Sequence, residues 1–144
     1  MTPTTSPKPR VYVDTSAYVE VLLAQRGWEA IRMQLDRSEA LSSVLLVLET
    51  RRNLTRLARE GVLSSDGYRT CIDQLNRDME HFELRDLTFE LCDALVMPAV
   101  ATPRSLDLAH LQTALWFHAE ARLAKFLTTD VALANAAREL GLPV

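Results

Sequence analysis

The 144-residue chain has no excess of basic residues, no long hydrophobic run and no apolar segment at its N-terminus. Lys and Arg number 16 against 19 Asp and Glu, so the net charge is −3 and a polyanion would have to meet a local basic patch. No apolar run reaches the roughly 18 residues that span a bilayer. The opening segment MTPTTSPKPR is too polar for a signal peptide. These absences predict a cytoplasmic protein without membrane contact.

Cysteine is also scarce. Cys71 and Cys92 are the two cysteines, and they have no metal-ligand spacing, so we expect small buried thiols in a reducing compartment. Apolar residues make up 48 % of the chain, which is enough for one core. There is no internal repeat and no interior linker. We therefore predict a single domain over residues 10–144, preceded by a flexible tail over the proline-rich residues 1–9.

Short apolar runs alternate with amphipathic segments along the chain. Strands are predicted at 11–13, in EALSS, in HFELRD and in AKFLTT, with LPV as a last edge strand. Helices are predicted at about 16–24, 27–37, 44–60, 65–80, 88–96, 106–122 and 130–140. This alternation indicates an α/β fold with a short, mainly parallel sheet of four or five strands and about seven helices on its two faces. Ligands of such sheets bind at the carboxyl ends of the strands.

Two aspartates lie at the carboxyl ends of apolar strands. Asp14 follows VYV and Asp130 follows KFLTT, and because both strands are short and apolar we expect both to be central. If the strands are neighbours, the two carboxylates repel unless one is protonated or a cation lies between them. Each aspartate also has a purely structural interpretation as the N-cap of the helix that follows.

Glu49, in LLVLETRR, lies at the edge of the apolar face of the long helix. On the other side of Glu49 from that face, Arg52, Arg56 and Arg59 fall roughly in line. Glu49 is therefore either half of an intrahelical ion pair on a solvated face or an acid beside arginines that bind phosphates.

Asp107 lies at the start of another predicted helix, in RSLDLAHLQTALWF. Ser105 is a plausible N-cap, and the helix dipole alone would then favour an acid in the first turn. His110 follows one turn later. We expect a hydrogen-bonded histidine there rather than a metal ligand.

Taken together, the four acids indicate a metal site. Two of them end strands and two lie early in helices, so all four could meet at one end of the sheet. Mg²⁺ prefers oxygen ligands, and an acid cluster that holds such ions activates water against phosphodiesters.

Four segments carry these acids in order: VYVDTSAYV, SSVLLVLETRR, RSLDLAHLQTALW and FLTTDVALANAARELGLPV. In order and spacing they resemble the acid-bearing segments of the PIN-domain nucleases, and within these the VapC-type toxins of bacterial toxin–antitoxin pairs. The third segment is similar to the D-x-x-H-L-x-x-A block of that family. The resemblance covers about residues 10–144.

The resemblance implies a PIN-like three-layer fold and a Mg²⁺- or Mn²⁺-dependent endoribonuclease that arrests translation. It also implies a homodimer that a cognate antitoxin silences. The residues that match the family's catalytic quartet are Asp14, Glu49, Asp107 and Asp130. Of these, the expected metal ligands are Asp14, Asp107 and Asp130, with Glu49 completing the cluster directly or through water.

Ser16 and Thr128 match hydroxyl residues of the family that support the metal or its water through hydrogen bonds. The candidates for binding RNA phosphates, without reading sequence, are Arg52, Arg56 and Arg104. In-line attack by water would leave a 5′-phosphate and a 3′-hydroxyl.

Three other interpretations stay open. A receiver-type phosphoacceptor domain also uses acids and Mg²⁺ on a parallel sheet, but it needs a lysine after a late strand, whereas Lys125 precedes the apolar part of the late strand here. A catalytically silent PIN-fold module would bind RNA or regulate without cleaving. A structural subunit would have the four acids as caps and ion pairs scattered over its surface.

The first predicted helix carries apolar residues that allow two interpretations. Tyr18, Val21 and Leu22 either form a face for a dimer partner or an antitoxin, or they pack in the core.

Overall fold

In the computed structural model, which describes residues 6–93 and 99–144, strands and helices alternate along the chain. The strands are β1 (Arg10–Val13), β2 (Glu39–Ser43), β3 (Glu83–Arg85) and β4 (Lys125–Leu127). The helices are α1 (Thr15–Leu22), α2 (Trp28–Asp36), α3 (Leu45–Arg59), α4 (Ser65–Met79), α5 (Phe89–Cys92), α6 (Ser105–Glu120) and α7 (Val131–Glu139). The described residues thus form the predicted α/β arrangement of four strands and seven helices.

The four described strands form one parallel sheet in the order β3-β2-β1-β4. Tyr12 of β1 lies beside Leu41 of β2 on one side and Phe126 of β4 on the other. The parallel sheet is as predicted, and the strands that precede Asp14 and Asp130 are neighbours. Because all strands run the same way, the residues that follow them lie along one edge of the sheet.

β4 is the last strand of the described sheet, so the prediction that it is central was wrong. The segment LPV was predicted to form a further strand outside it. Instead, residues 142–144 have no regular structure. The backbone N–H of Phe126 donates to the carbonyl of Pro143 at 2.5 Å. A proline in so short a segment leaves too few donors for a ladder of strand hydrogen bonds.

Hydrophobic side chains pack on both faces of the sheet, because successive residues of a strand point to opposite sides. On one face, Tyr12 and Phe126 pack against residues of α6 and α7 such as Phe117 and Leu133. On the other face, Val11, Val13 and Leu127 pack against residues of α1 to α4, namely Ala17, Tyr18, Leu35, Leu46 and Leu75. Helices therefore cover both sides of the sheet.

The surface predicted as a possible partner face on α1 is instead part of the core. Tyr18 is fully buried, and Val21 is 5 % exposed. Leu22 is partly buried and packs against the same cluster. This helix packs on α2, α3 and α4, which covers its apolar side.

Local signals account for several helix ends. Asp14, Ser64 and Asp130 are N-caps, each accepting a hydrogen bond from a backbone N–H three residues on. Ser105 was predicted to be the N-cap of α6, and this prediction was wrong. The helix begins at Ser105 itself, and Arg104 is its N-cap, without a side-chain cap hydrogen bond. α3 stops before Gly61, whose φ of +73° favours glycine.

Some predictions fall partly outside the described residues. The helix predicted to reach residue 96 is described as α5 up to Cys92, and residues 94–98 lie outside the description. Residues 1–5 of the predicted tail do so as well, while the carbonyl of Pro9 accepts a hydrogen bond from Glu39 N–H at 2.9 Å. Of the two free cysteines, Cys71 is buried as predicted and Cys92 is exposed, contrary to the prediction.

None of the helices in the described part of the chain is both long enough and apolar enough to cross a membrane.

Candidate functional site

The four predicted acids follow the carboxyl ends of strands or lie in helices that reach the same edge. Asp14 comes directly after β1, and Asp130 lies three residues after β4. Glu49 is in the second turn of α3, which follows β2. Asp107 is in the first turn of α6. We call this set of four residues, Asp14, Glu49, Asp107 and Asp130, the acidic edge.

Asp14 is a buried carboxylate surrounded by hydrogen-bond donors. The hydroxyl of Ser16 lies 2.8 Å from its Oδ1 and 2.9 Å from its Oδ2, and the hydroxyl of Thr128 donates to Oδ2 at 2.8 Å. The backbone N–H of Ala17 donates to Oδ1 at 3.1 Å. Burial nevertheless raises the pKa of Asp14, and these donors offset the rise only in part. A cation at this carboxylate would favour its ionised form.

Glu49 is held by residues of α6 and α1 rather than by the arginines of its own helix. Its Oε1 accepts hydrogen bonds from His110 Nε2 at 2.8 Å and from Thr15 Oγ1 at 3.0 Å. The interpretation of Glu49 as half of an intrahelical ion pair is therefore wrong. Burial raises the pKa of Glu49, but the hydrogen bonds from His110 and Thr15 and the charge of Arg104 outweigh it, so the net shift is downward.

Both ring nitrogens of His110 form hydrogen bonds, and the residue is 2 % exposed. Its Nδ1 lies 2.8 Å from the hydroxyl of Tyr12, and burial raises the pKa of Tyr12, so that phenol keeps its proton. We infer that Tyr12 donates to Nδ1 and that Nε2–H donates to Glu49. His110 is thus the hydrogen-bonded histidine predicted from the sequence, and it orients Glu49.

Asp107 is 3 % exposed and is paired with a cation from its own chain. Arg104 Nη2 lies 3.0 Å from its Oδ1, and Arg104 Nε lies 3.3 Å from its Oδ2. The same Nη2 atom is 3.9 Å from Oδ2 of Asp130. The hydrogen bond and charge of Asp107, with smaller effects of Glu49 and Asp130, raise the pKa of Arg104.

Shared partners connect the acidic edge. Thr128 Oγ1 donates to Asp14 and accepts the backbone N–H of Asp130 at 3.1 Å. Arg104 in turn joins Asp130 to Asp107. Shared partners therefore link Asp14, Asp130 and Asp107 along one edge, so these acids are not scattered over the surface, although caps and ion pairs are also what a structural subunit predicts. Asp14 and Asp130 are nevertheless N-caps as well.

The three predicted phosphate-binding arginines occupy different places. Arg104 contacts two residues of the acidic edge, Asp107 and Asp130. Arg52 and Arg56 are exposed on α3, where Arg56 Nη1 pairs with Glu60 at 3.0 Å. Sequence reasoning did not identify Thr15 or Tyr12 as parts of the site. Thr15 had a usable signal, because it follows Asp14 directly, whereas Tyr12 was indistinguishable from a core residue.

The donor chemistry of the acidic edge fits a hard divalent cation, which prefers carboxylate and hydroxyl oxygens. Among residues 6–93 and 99–144, however, no group of three or more His, Cys, Asp or Glu side chains is arranged to hold an ion. Arg104 and His110 already bind oxygens of Asp107 and Glu49. The residues therefore suit the ion in kind, and their present arrangement is one in which arginine supplies the positive charge.

Comparison of the chain with models of known protein families and with curated proteins gave no match.

Proposed function

We propose that this chain is a Mg²⁺- or Mn²⁺-dependent endoribonuclease with a PIN-like three-layer fold, and that it is the toxin of a type II toxin–antitoxin pair acting in the cytoplasm. The observation that carries the proposal is the acidic edge at the carboxyl ends of parallel strands. Burying Asp14 and Asp107 there is costly for a protein that needs them only as caps or surface charges. The four sequence segments that resemble PIN nucleases contain the same acids.

In this proposal Asp14, Asp107 and Asp130 hold the metal, and Glu49 completes the cluster. A divalent cation would supply polarisation of the phosphate and a more acidic water for hydrolysis. The chain itself contributes orientation. Ser16 and Thr128 orient the carboxylate of Asp14, and His110 with Thr15 holds Oε1 of Glu49, so the fold sets the orientation of these two side chains.

RNA would approach the same edge along the exposed side of α3. Arg52 and Arg56 are exposed there and suit backbone phosphates, which position a strand without specifying its sequence. Bases would be read in a single-stranded or looped region. A homodimer and a cognate antitoxin complete the proposed set of partners.

One observation favours a second candidate, a catalytically silent PIN-fold module that binds RNA or regulates. Arg104 forms an ion pair with Asp107, and no three of the described acidic side chains are arranged to hold an ion. A silent module would keep the arginine in place permanently and would have no use for a divalent cation.

The first test is Asp14→Asn. Asparagine retains an oxygen that can cap α1, so we expect a folded protein, while loss of the carboxylate should lower cleavage by about 100-fold or more. Cleavage of total RNA would be followed with Mg²⁺, with Mn²⁺ and with a chelator. Product ends would be examined for the predicted 5′-phosphate.

Asp73→Asn is the matched control, because Asp73 is an exposed acid on α4 away from the acidic edge. It should cleave like the wild type. An Asp14→Asn variant with more than about a tenth of wild-type activity would disprove the assignment. Metal-dependent cleavage by the wild type would rule out the silent module.

A further inference from the structure

Arg104 is a basic side chain that contacts two residues of the acidic edge, Asp107 and Asp130. On the basis of the function proposed above, we propose that its guanidinium is a built-in counter-ion that competes with the divalent cation for Asp107. The ion would then bind only by displacing the arginine. The state with Arg104 in place would be the inactive, metal-free state of the site.

The contacts of Arg104 are those expected of a group that takes the place of a cation. Its Nη2 and Nε atoms engage both oxygens of Asp107, at 3.0 and 3.3 Å. The same Nη2 approaches Asp130, the N-cap of α7, to 3.9 Å. Two of the three expected metal ligands therefore share one guanidinium, and an ion bound to both would need the space that this group fills.

The charges around the acidic edge make this arginine important. Among the described residues, it is the only Arg or Lys side chain that forms an ion pair with any of the four acids. Asp107 has 4 % of its side chain exposed, so without a cation its charge would be buried and uncompensated. Either Arg104 or a divalent ion can supply that compensation.

The two partners differ in how freely they can move. Asp107 is fixed in the first turn of α6 and buried, whereas 61 % of the Arg104 side chain is exposed. Arg104 is the N-cap of α6, in an extended backbone conformation, and its long side chain can turn toward solvent without disturbing the helix. The guanidinium is largely hydrated already, so it loses little by turning away, and a cation that replaces it keeps the buried carboxylate compensated. A divalent cation can therefore displace the arginine while Asp107 stays in place.

Displacement would also place a free guanidinium beside the bound ion. Guanidinium groups bind phosphate through paired hydrogen bonds, so the released Arg104 could engage an RNA phosphate. Its role as a phosphate candidate and its role as a counter-ion would then be two successive states of one side chain.

The test is a Mn²⁺ titration in which the paramagnetic resonance signal of free Mn²⁺ reports binding. We would compare the wild type with Arg104→Gln, which removes the charge, and Arg104→Lys, which retains it. For Arg104→Gln we expect a Kd about tenfold lower than that of the wild type, because no arginine has to be displaced. For Arg104→Lys we expect a Kd between those of the wild type and Arg104→Gln, because lysine keeps the charge but loses the paired hydrogen bonds to Asp107.

Arg69→Gln is the matched control. Arg69 pairs with Asp66 at 2.8 Å, also across three residues near the start of a helix, and this pair includes none of the four acids of the acidic edge. It removes one positive charge of the same kind and should leave Mn²⁺ affinity unchanged. Thermal unfolding with and without Mn²⁺ gives a second readout, since Mn²⁺ should raise the Tm of Arg104→Gln more than that of the wild type.

The outcomes separate this proposal from the proposed function. If the wild type binds Mn²⁺ and Arg104→Gln binds it equally or less tightly, competition is disproved and the metal site stands. If no variant binds Mn²⁺, both proposals fail. If Arg104→Gln binds tightly but the added change Asp107→Asn has no effect, the ion lies elsewhere and the competition is again disproved. Binding by Arg104→Gln alone would be the strongest support.

Discussion

Asp14 uses its two carboxylate oxygens in different ways. Oδ1 accepts the N–H of Ala17 and so caps α1, while Oδ2 accepts the hydroxyl of Thr128 from the neighbouring strand's end. The structural interpretation of this residue as a cap and its interpretation as a site residue are therefore compatible. The cap fixes the side-chain rotamer, and a fixed rotamer is what a metal ligand requires.

His110 offers a prediction at the same scale. His110→Ala would leave Glu49 with Thr15 as its hydrogen-bond donor and remove one partner of the buried Tyr12 hydroxyl, whereas His110→Gln retains a second donor for Glu49. For the alanine variant we expect a loss of about 2 kcal/mol in the free energy of unfolding and about tenfold in cleavage rate. Glutamine should recover part of the cleavage rate. Urea unfolding and separate kcat and KM measurements would show both effects.

The exposed His81 provides the control, and His81→Ala should match the wild type in both assays. Wild-type cleavage by His110→Ala would show that Glu49 needs no positioning. A glutamine variant no better than alanine would show that His110 acts through packing rather than through its hydrogen bond to Glu49.

Some of these residue contacts were open to prediction from the sequence and some were not. Arg104 and Asp107 are three residues apart at a helix start, so their pairing is a local signal that could have been predicted. Glu49 and His110 are 61 residues apart, and Tyr12 and His110 are 98 apart. Their contacts depend on how α3, β1 and α6 pack, which no local pattern specifies.

The same distinction holds for the elements. Strand and helix positions followed from apolar periodicity and cap residues such as Ser64, which act within a few residues. The position of β4 at the edge of the described sheet depended on whether LPV would pair as a strand. That outcome depends on how residues 142–144 contact Phe126. The two segments are separated in sequence by α7, so no local pattern specifies this contact.

Asp78 of α4 ties three helices together. Its carboxylate accepts hydrogen bonds from Tyr18 of α1 at 2.7 Å and from both terminal nitrogens of Arg32 of α2, at 3.0 and 2.9 Å. Gln74 of its own helix donates a further bond at 2.9 Å. Burial raises the pKa of Asp78, but these donors outweigh it and the net shift is downward.

Asp78→Asn should therefore lower stability in a pH-dependent way. A carboxyl whose pKa is lowered by folding stabilises the protein above its ordinary pKa of about 3.9, and that contribution is lost as the pH falls through the lower folded pKa. We expect the variant to lose about 2 kcal/mol at pH 7 and the gap to the wild type to narrow as the medium becomes more acidic than about pH 4. Urea unfolding across this pH range would measure the difference in the free energy of unfolding between the variant and the wild type.

Asp36→Asn removes the other carboxylate near Arg32, a more exposed partner at 3.7 Å, and should change stability by less than about 0.5 kcal/mol. Equal losses for the two variants at pH 7, or a gap that widens in acid for Asp78→Asn, would contradict the assigned role of Asp78.

At the scale of the whole molecule, one sheet separates two hydrophobic clusters, and residue 142 extends one of them. Leu142 is 3 % exposed and belongs to the cluster with Tyr12 and Phe126, although it lies outside any helix or strand. The stability of the fold therefore depends on a residue beyond α7. The hydrophobic core includes a side chain that belongs to no helix or strand.

Leu142→Ala should lower the free energy of unfolding by about 3 kcal/mol, because it opens a cavity in this cluster. Val131→Ala, at a residue that is 74 % exposed, is the control and should change it by less than about 0.5 kcal/mol. Chemical denaturation would compare them. Equal effects of the two substitutions would mean that residue 142 lies outside the cooperative core.

The contact between Phe126 and Pro143 also bears on how copies of the chain can associate. An open strand edge is a template onto which another molecule can add a strand, and repeated addition yields filaments. Here the N–H of Phe126 is already taken, and the N–H of Leu142 is bound to the carbonyl of Ala137. The β4 side of the sheet is therefore a poor template for polymerisation.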